Sequence, residues 1–105
     1  MIRVSVLYPR NEGSRFDMDY YCQKHMVMVR EKLGAACKGI AADLGLGGGQ
    51  PGSPPPYIAA GHLLFDSVDA FKEAFGPHAQ ALLGDIPNFT NVQPTIQISE
   101  IKLGS

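Results

Sequence analysis

The chain has no tryptophan, only two cysteines, and no block of like charge among its nine basic and ten acidic residues. Each scarcity excludes something. With a formal net charge of −1 and no basic patch, there is no electrostatic footprint for nucleic acid or for an anionic membrane, and neither is expected as a partner. The N-terminal segment MIRVSVLYPR carries a charge at its third position and has too short an apolar stretch for a signal-peptide core or a membrane span, so the expectation is a soluble, cytoplasmic protein. Cys22 and Cys37 lack CxxC spacing and read as buried free thiols, not as a redox pair or a metal knuckle. No HxH, HxxxH or HxxE spacing gathers metal ligands, and no GxSxG elbow presents a nucleophile. The GLGGG at residues 45–49 leads into prolines where a phosphate-binding turn would open a helix. The expectation is therefore no metal and no bound cofactor.

What is present is apolar material arranged in clear periods. At 105 residues and 45% hydrophobic content, residues 1–105 are expected to form one domain with a single small core. Ile2, Val4, Val6 and Tyr8 alternate against Arg3, Ser5 and Leu7, which predicts a strand. Asp17 suits a helix N-cap, Arg30 and Lys32 suit the far end, and Gly34 supplies the stop. Even spacing of Ala36, Ile40, Ala42 and Leu44 predicts a strand within residues 35–44. Residues 45–56, GLGGGQPGSPPP, read as a flexible Gly/Pro-rich loop. Residues 57–65, YIAAGHLLF, form a strand that is nearly apolar on both faces. Asp66 is placed to cap a second helix that buries Val68, Phe71 and Phe75, breaks at Gly76-Pro77 and resumes to Gly84. Residues 85–91, DIPNFTN, read as a loop, and residues 92–103 as the last strand.

The order strand, helix, strand, strand, helix, strand predicts an α+β, ferredoxin-like fold with a four-stranded antiparallel sheet and both helices on one face. Helices cover only that face, whereas residues 57–65 are apolar on both. The remedy expected for the second face is a homodimer packed sheet against sheet.

One histidine stands out. Wound as an α-helix, residues 16–34 gather Met18, Tyr21, Cys22, His25, Met26, Met28, Val29 and Leu33 on one side. An imidazole on that stripe is either a satisfied core group or a working acid/base, since it needs partners when buried and titrates near neutral pH. Tyr21 lies one turn before it and can share a hydrogen bond or proton. His62 sits centrally in the apolar strand and can converge with His25 through the fold; His78 is expected near the surface. The candidate catalytic set is therefore His25, Tyr21 and His62. Ser5, Tyr8 and Met18 are candidate substrate-binding residues if a cavity lies between the sheet and the first helix.

Three separated blocks, RFDMDYYCQKHM, PPY with AAGHLLFDSVDAFKEAFGPHA, and GDIPNFTNVQPTIQISEI, resemble the EthD family of small proteins named for ethyl tert-butyl ether degradation. The resemblance implies a dimeric α+β barrel, a bacterial cytosolic setting and an oxidoreductase label. Together with the titratable group on an apolar face, it leads to the expectation of a cofactor-free oxidoreductase or related acid/base enzyme on a small, largely apolar organic compound, or alternatively a non-catalytic ligand-binding or accessory homodimer supporting an oxidative degradation pathway. The family commonly has proline two residues after the helix histidine. Here that position is Val27, which is expected to leave the helical hydrogen-bond ladder intact.

Overall fold

A computed structural model describes residues 1–104. Strand β1 (Ile2–Pro9) is followed by helices α1 (Met18–Tyr20) and α2 (Met26–Leu33), joined by one π turn, Tyr21–His25. Strands β2 (Gly39–Leu44) and β3 (Tyr57–Phe65), helices α3 (Val68–Phe75) and α4 (Ala79–Gly84), and strand β4 (Thr95–Glu100) complete the chain. The sheet is antiparallel in the order β2-β3-β1-β4, the expected ferredoxin-like arrangement.

Local chemistry sets most boundaries. The Asp17 carboxylate accepts from the Tyr20 N–H at 3.0 Å and opens the first helix, and Gly34, at φ 62°, ends it where a side chain would be strained. Ser67, not Asp66, caps the second helix: its Oγ accepts from the Ala70 N–H at 3.0 Å. Asp66 instead lies on the surface, 4.0 Å from Lys38. Pro94 cannot donate to a ladder, and the last strand begins only after it, at Thr95.

The first helix is not α-helical throughout. The Met26 N–H donates to the Tyr21 carbonyl, one residue further back than in an α-helix. That extra residue rotates the buried stripe, so Tyr21, His25, Met26, Val29 and Leu33 are buried while Cys22 turns to solvent. Cys22 is thus exposed and Cys37 half-buried, against the expectation of two buried thiols. The ladder also departs from α geometry immediately before Val27, although no proline is there.

Even residues of β1 and odd residues of β3 face the helices, with Val4, Tyr8, Ala59, Leu63 and Phe65 in the core. Helices do not reach across β4: Ile96 and Ile98 share that face by register with Val6 and Val4, yet remain 50% and 41% exposed. The opposite face of the sheet is bare, and the 19 Å thickness of the molecule is that of one sheet and one helix layer. The Gly/Pro-rich segment does not hang free. Gly45 donates to Ile58 at 2.9 Å and Gly48 to Ser53 at 3.0 Å, so it continues the β2–β3 hairpin to a closed tip. At Gly45 a side chain would collide with the Tyr57 carbonyl.

Candidate acid–base site between sheet and helices

The π turn brings Tyr21 and His25 into register on the inner side of the helix, their rings stacked 5.5 Å apart at 14°. Tyr8 from β1 meets Tyr21 edge-on at 5.7 Å, and Phe89 closes over His25 at 4.7 Å. Gly61 on β3 makes room for this group, because a Cβ there would run into the Tyr21 hydroxyl. A small cavity of about 80 Å³ opens among these residues, walled largely by apolar side chains including Val4, Val6, Met26, Leu63, Phe71 and Leu82. Leu83 and Ile96, both half exposed, stand at its rim.

The group that turns His25 from an oddity into a defined dyad is Asp85, on the turn that follows α4. His25 Nδ1 lies 2.9 Å from Asp85 Oδ2, with the two side chains only 8% and 14% exposed. Asp85 Oδ1 accepts from the Tyr20 hydroxyl at 2.7 Å and from the Asn88 amide at 2.9 Å. Burial by itself raises the Asp85 carboxyl, but the hydrogen bonds from Asn88, His25 and Tyr20, with the attraction of His25, outweigh it and hold the group below the usual carboxylate range. The same bond raises the Tyr20 phenol. An ionised carboxylate only accepts, so Nδ1 of His25 carries a hydrogen, and in the neutral ring the free lone pair then belongs to Nε2. Nε2 has no hydrogen-bond partner, and no buried side-chain nitrogen or oxygen among the described residues lacks one, so Nε2 is the nitrogen open to a ligand. Two phenols stand by. Burial pushes Tyr8 up to about 12, against a smaller downward pull from the Tyr21 hydroxyl, and burial with the Tyr8 neighbour carries Tyr21 still higher. Both are neutral hydrogen-bond donors at working pH and cannot serve as bases.

His25, Tyr21 and Tyr8 therefore converge on one cavity. His62 and Ser5 do not join them. Strand alternation directs both to the bare face, where Ser5 Oγ lies 3.0 Å from His62 Nδ1 and Asp43 Oδ2 lies 3.3 Å from His62 Nε2. The trio has the residue types of a nucleophilic triad but sits in mid-strand, where the backbone N–H groups that could stabilise an oxyanion are spent on the ladder. Met18 is half-buried against the core and does not line the cavity. His78 is half-buried in the turn Gly76–His78. No cluster of three or more His, Cys, Asp or Glu forms among the described residues, and no helix there is long and apolar enough to cross a membrane. Sequence reasoning passed over Asp85 as a loop residue. Its signal was Asn88 three residues on, a spacing that lets an amide reach back to a carboxylate.

The EthD domain profile matches residues 13–93, a span that holds His25, Tyr21, Gly61 and Asp85. The chain belongs to the EthD family. A crystal structure of an EthD-like protein from Ralstonia eutropha JMP134 is 42% identical over 99% of this chain and 94% of its own, with a TM-score of 0.94. An EthD family protein from Bacillus halodurans C-125 shares 17% identity over 96% and 98% of the two chains at a TM-score of 0.73. HapK from Hahella chejuensis is 11% identical over 100% and 97% at 0.60, a likeness of fold alone. No curated protein matches the sequence.

Proposed function

We propose that this EthD family member is a cofactor-free oxidoreductase or related acid/base enzyme acting on a small, largely apolar organic compound in the cytoplasm. The observation that carries the reading is a buried imidazole held by a carboxylate at the wall of an apolar cavity. Asp85 fixes the tautomer and orientation of His25 and stabilises the imidazolium that forms when Nε2 accepts a proton. The neutral Tyr21 and Tyr8 hydroxyls are the groups suited to oppose negative charge developing on a substrate oxygen. The apolar walls favour a substrate with little charge of its own and keep water from the proton.

The test is conversion of a panel of small apolar ethers, alcohols and ketones, followed by mass spectrometry, with wild type and a folded His25→Gln variant. Conversion lost in the variant while ligand binding persists is the expected result. Unchanged turnover in a folded variant overturns the mechanism. A second reading, carriage of such a compound without turnover, draws on the almost wholly apolar lining and is decided by binding that yields no product with wild type. The bare face of the sheet supports a homodimer as the working form, and a ferredoxin-like neighbour from Bacteroides fragilis, 13% identical with a TM-score of 0.55, is described as dimeric. A monomer in sedimentation at micromolar concentration would end that part of the proposal.

A further inference from the structure

The cavity at His25 does not end at the core. Leu83, Ile86, Pro94 and Ile96 line it and also line a surface groove that runs from the end of α4 along the segment leading into β4. The groove is on the helix side of the sheet, because Ile96 pairs with Val6, so it is separate from the bare face. Leu83 and Ile96 are 47% and 50% exposed there. Volume divides the two spaces. The inner cavity is about 80 Å³ and the groove about 550 Å³, whereas a site that encloses a whole small-molecule ligand measures ~300–1,000 Å³. The inner space therefore takes one functional end of a ligand, and the groove takes the remainder. Ile96 is one strand spacing across and two residues along from Tyr8, ~8 Å between backbones, which sets the reach from one space to the other.

Neither space is lined by a lysine, arginine, aspartate or glutamate. At the groove, Thr90 and Asn91 already spend their side chains on the backbone of Gly13, Arg15 and Val92. An ionised ligand would lose its water without gaining a counter-charge, so the fit is to a neutral one. Donor and acceptor placement at the closed end narrows the class. The Tyr8 and Tyr21 hydroxyls donate there and His25 Nε2 accepts. An ether gives the phenols an oxygen but offers Nε2 no acidic hydrogen, and an alcohol sets phenols and imidazole on one oxygen. A carbonyl group with a C–H on the next carbon satisfies both.

We propose that the site binds neutral alkyl ketones, carbonyl inward and hydrocarbon chain out along the groove between α4 and β4, and enolises them, an inference that rests on the acid/base reading above. Nε2 takes a proton from the carbon next to the carbonyl. The C–H electron pair forms the carbon–carbon double bond, and the carbonyl π pair moves onto the oxygen, where the phenols meet it. Return of a proton from the imidazolium to carbon restores the ketone, so no oxidant or reductant is consumed. Leu83 and Ile96, at the junction of cavity and groove, set the preference for chain length.

The test is exchange of the hydrogens next to the carbonyl in the 2-alkanones from butanone to 2-octanone, in deuterium oxide, followed by proton NMR. With wild type, kcat/KM is expected to rise about fourfold per methylene until the groove is filled, the ~0.8 kcal/mol of each buried CH2 converted at about 1.4 kcal/mol per tenfold. The double variant Leu83→Gln, Ile96→Thr is expected to lower the ratio of kcat/KM for 2-octanone to that for butanone at least tenfold. If that pair unfolds the chain, Leu83→Gln alone is read in the same way. Exchange without chain-length dependence, or an unchanged ratio in the folded variant, overturns the groove and leaves the base in place. Exchange that persists in folded His25→Gln overturns the acid/base reading as well. Absence of exchange with every ketone overturns the substrate class, and the wider panel of ethers and alcohols then decides whether His25 acts on another compound.

Discussion

Replacing Asp85 by alanine removes one carboxylate and three hydrogen bonds at once, those from His25, Tyr20 and Asn88. The burden is uneven. His25 Nδ1 is buried and loses its acceptor outright, a cost of about 1–3 kcal/mol, while the Tyr20 hydroxyl and the exposed Asn88 amide recover water and add little. The expected loss near neutral pH is therefore about 1–3 kcal/mol, a large share of the ~5–15 kcal/mol available to a domain. Urea denaturation should show a lower midpoint at an unchanged slope. The pH dependence is the sharper check. The folded carboxyl lies below its ordinary value, so the unfolded chain takes up the proton first as pH falls. The stability contributed by ionisation is present above about pH 4, the unfolded carboxylate range, and drains away as pH drops through the depressed folded value. The gap between wild type and Asp85→Ala should accordingly narrow in acid. A loss under 0.5 kcal/mol at pH 7, or a gap that widens in acid, would refute the account of the dyad.

Two further expectations follow from the same cavity. Gly61→Ala drives a methyl group into the Tyr21 hydroxyl and should cost about 1–3 kcal/mol by overpacking, read by denaturation, with a perturbed near-ultraviolet tyrosine spectrum; a neutral substitution would mean the close approach is relieved cheaply. In a spectrophotometric titration, Tyr8 should ionise near pH 12 with Tyr21 above it, so Tyr8→Phe leaves the curve below pH 11 unchanged. Because these folded values exceed the unfolded value of ~10, their contribution is complete below pH 10 and is lost as pH rises through the folded range. Phenolate from Tyr8 at pH 10 in folded protein would contradict the burial.

Periodicity made most of the fold legible. Alternation in residues 2–8, the Asp17 and Gly34 signals and the two-sided apolar strand at 57–65 mark local preferences that the tertiary structure reinforces. Elsewhere a longer-range term intervenes. A strict 3.6-residue period places Cys22 on the buried stripe, and the π turn shifts that period by one residue and leaves the thiol exposed. Ser67 took the cap from its neighbour Asp66 because cap geometry depends on which residue is extended, not on which is acidic. Among the candidate site residues, parity alone separated Ser5 from Tyr8 on the same strand.

By itself the sequence determined that His25 and Tyr21 share a helix face, that Ile2, Val4, Val6 and Tyr8 share a strand face, and that six elements alternate in a ferredoxin-like order. These follow from spacings of a few residues, which backbone geometry converts directly into direction. Only the tertiary structure decided that Asp85, 60 residues from His25, is its partner, and that His62 belongs to the opposite side of the sheet with Ser5 and Asp43. Such pairings depend on where the turn after α4 lands and on the register of four strands, which no local spacing records.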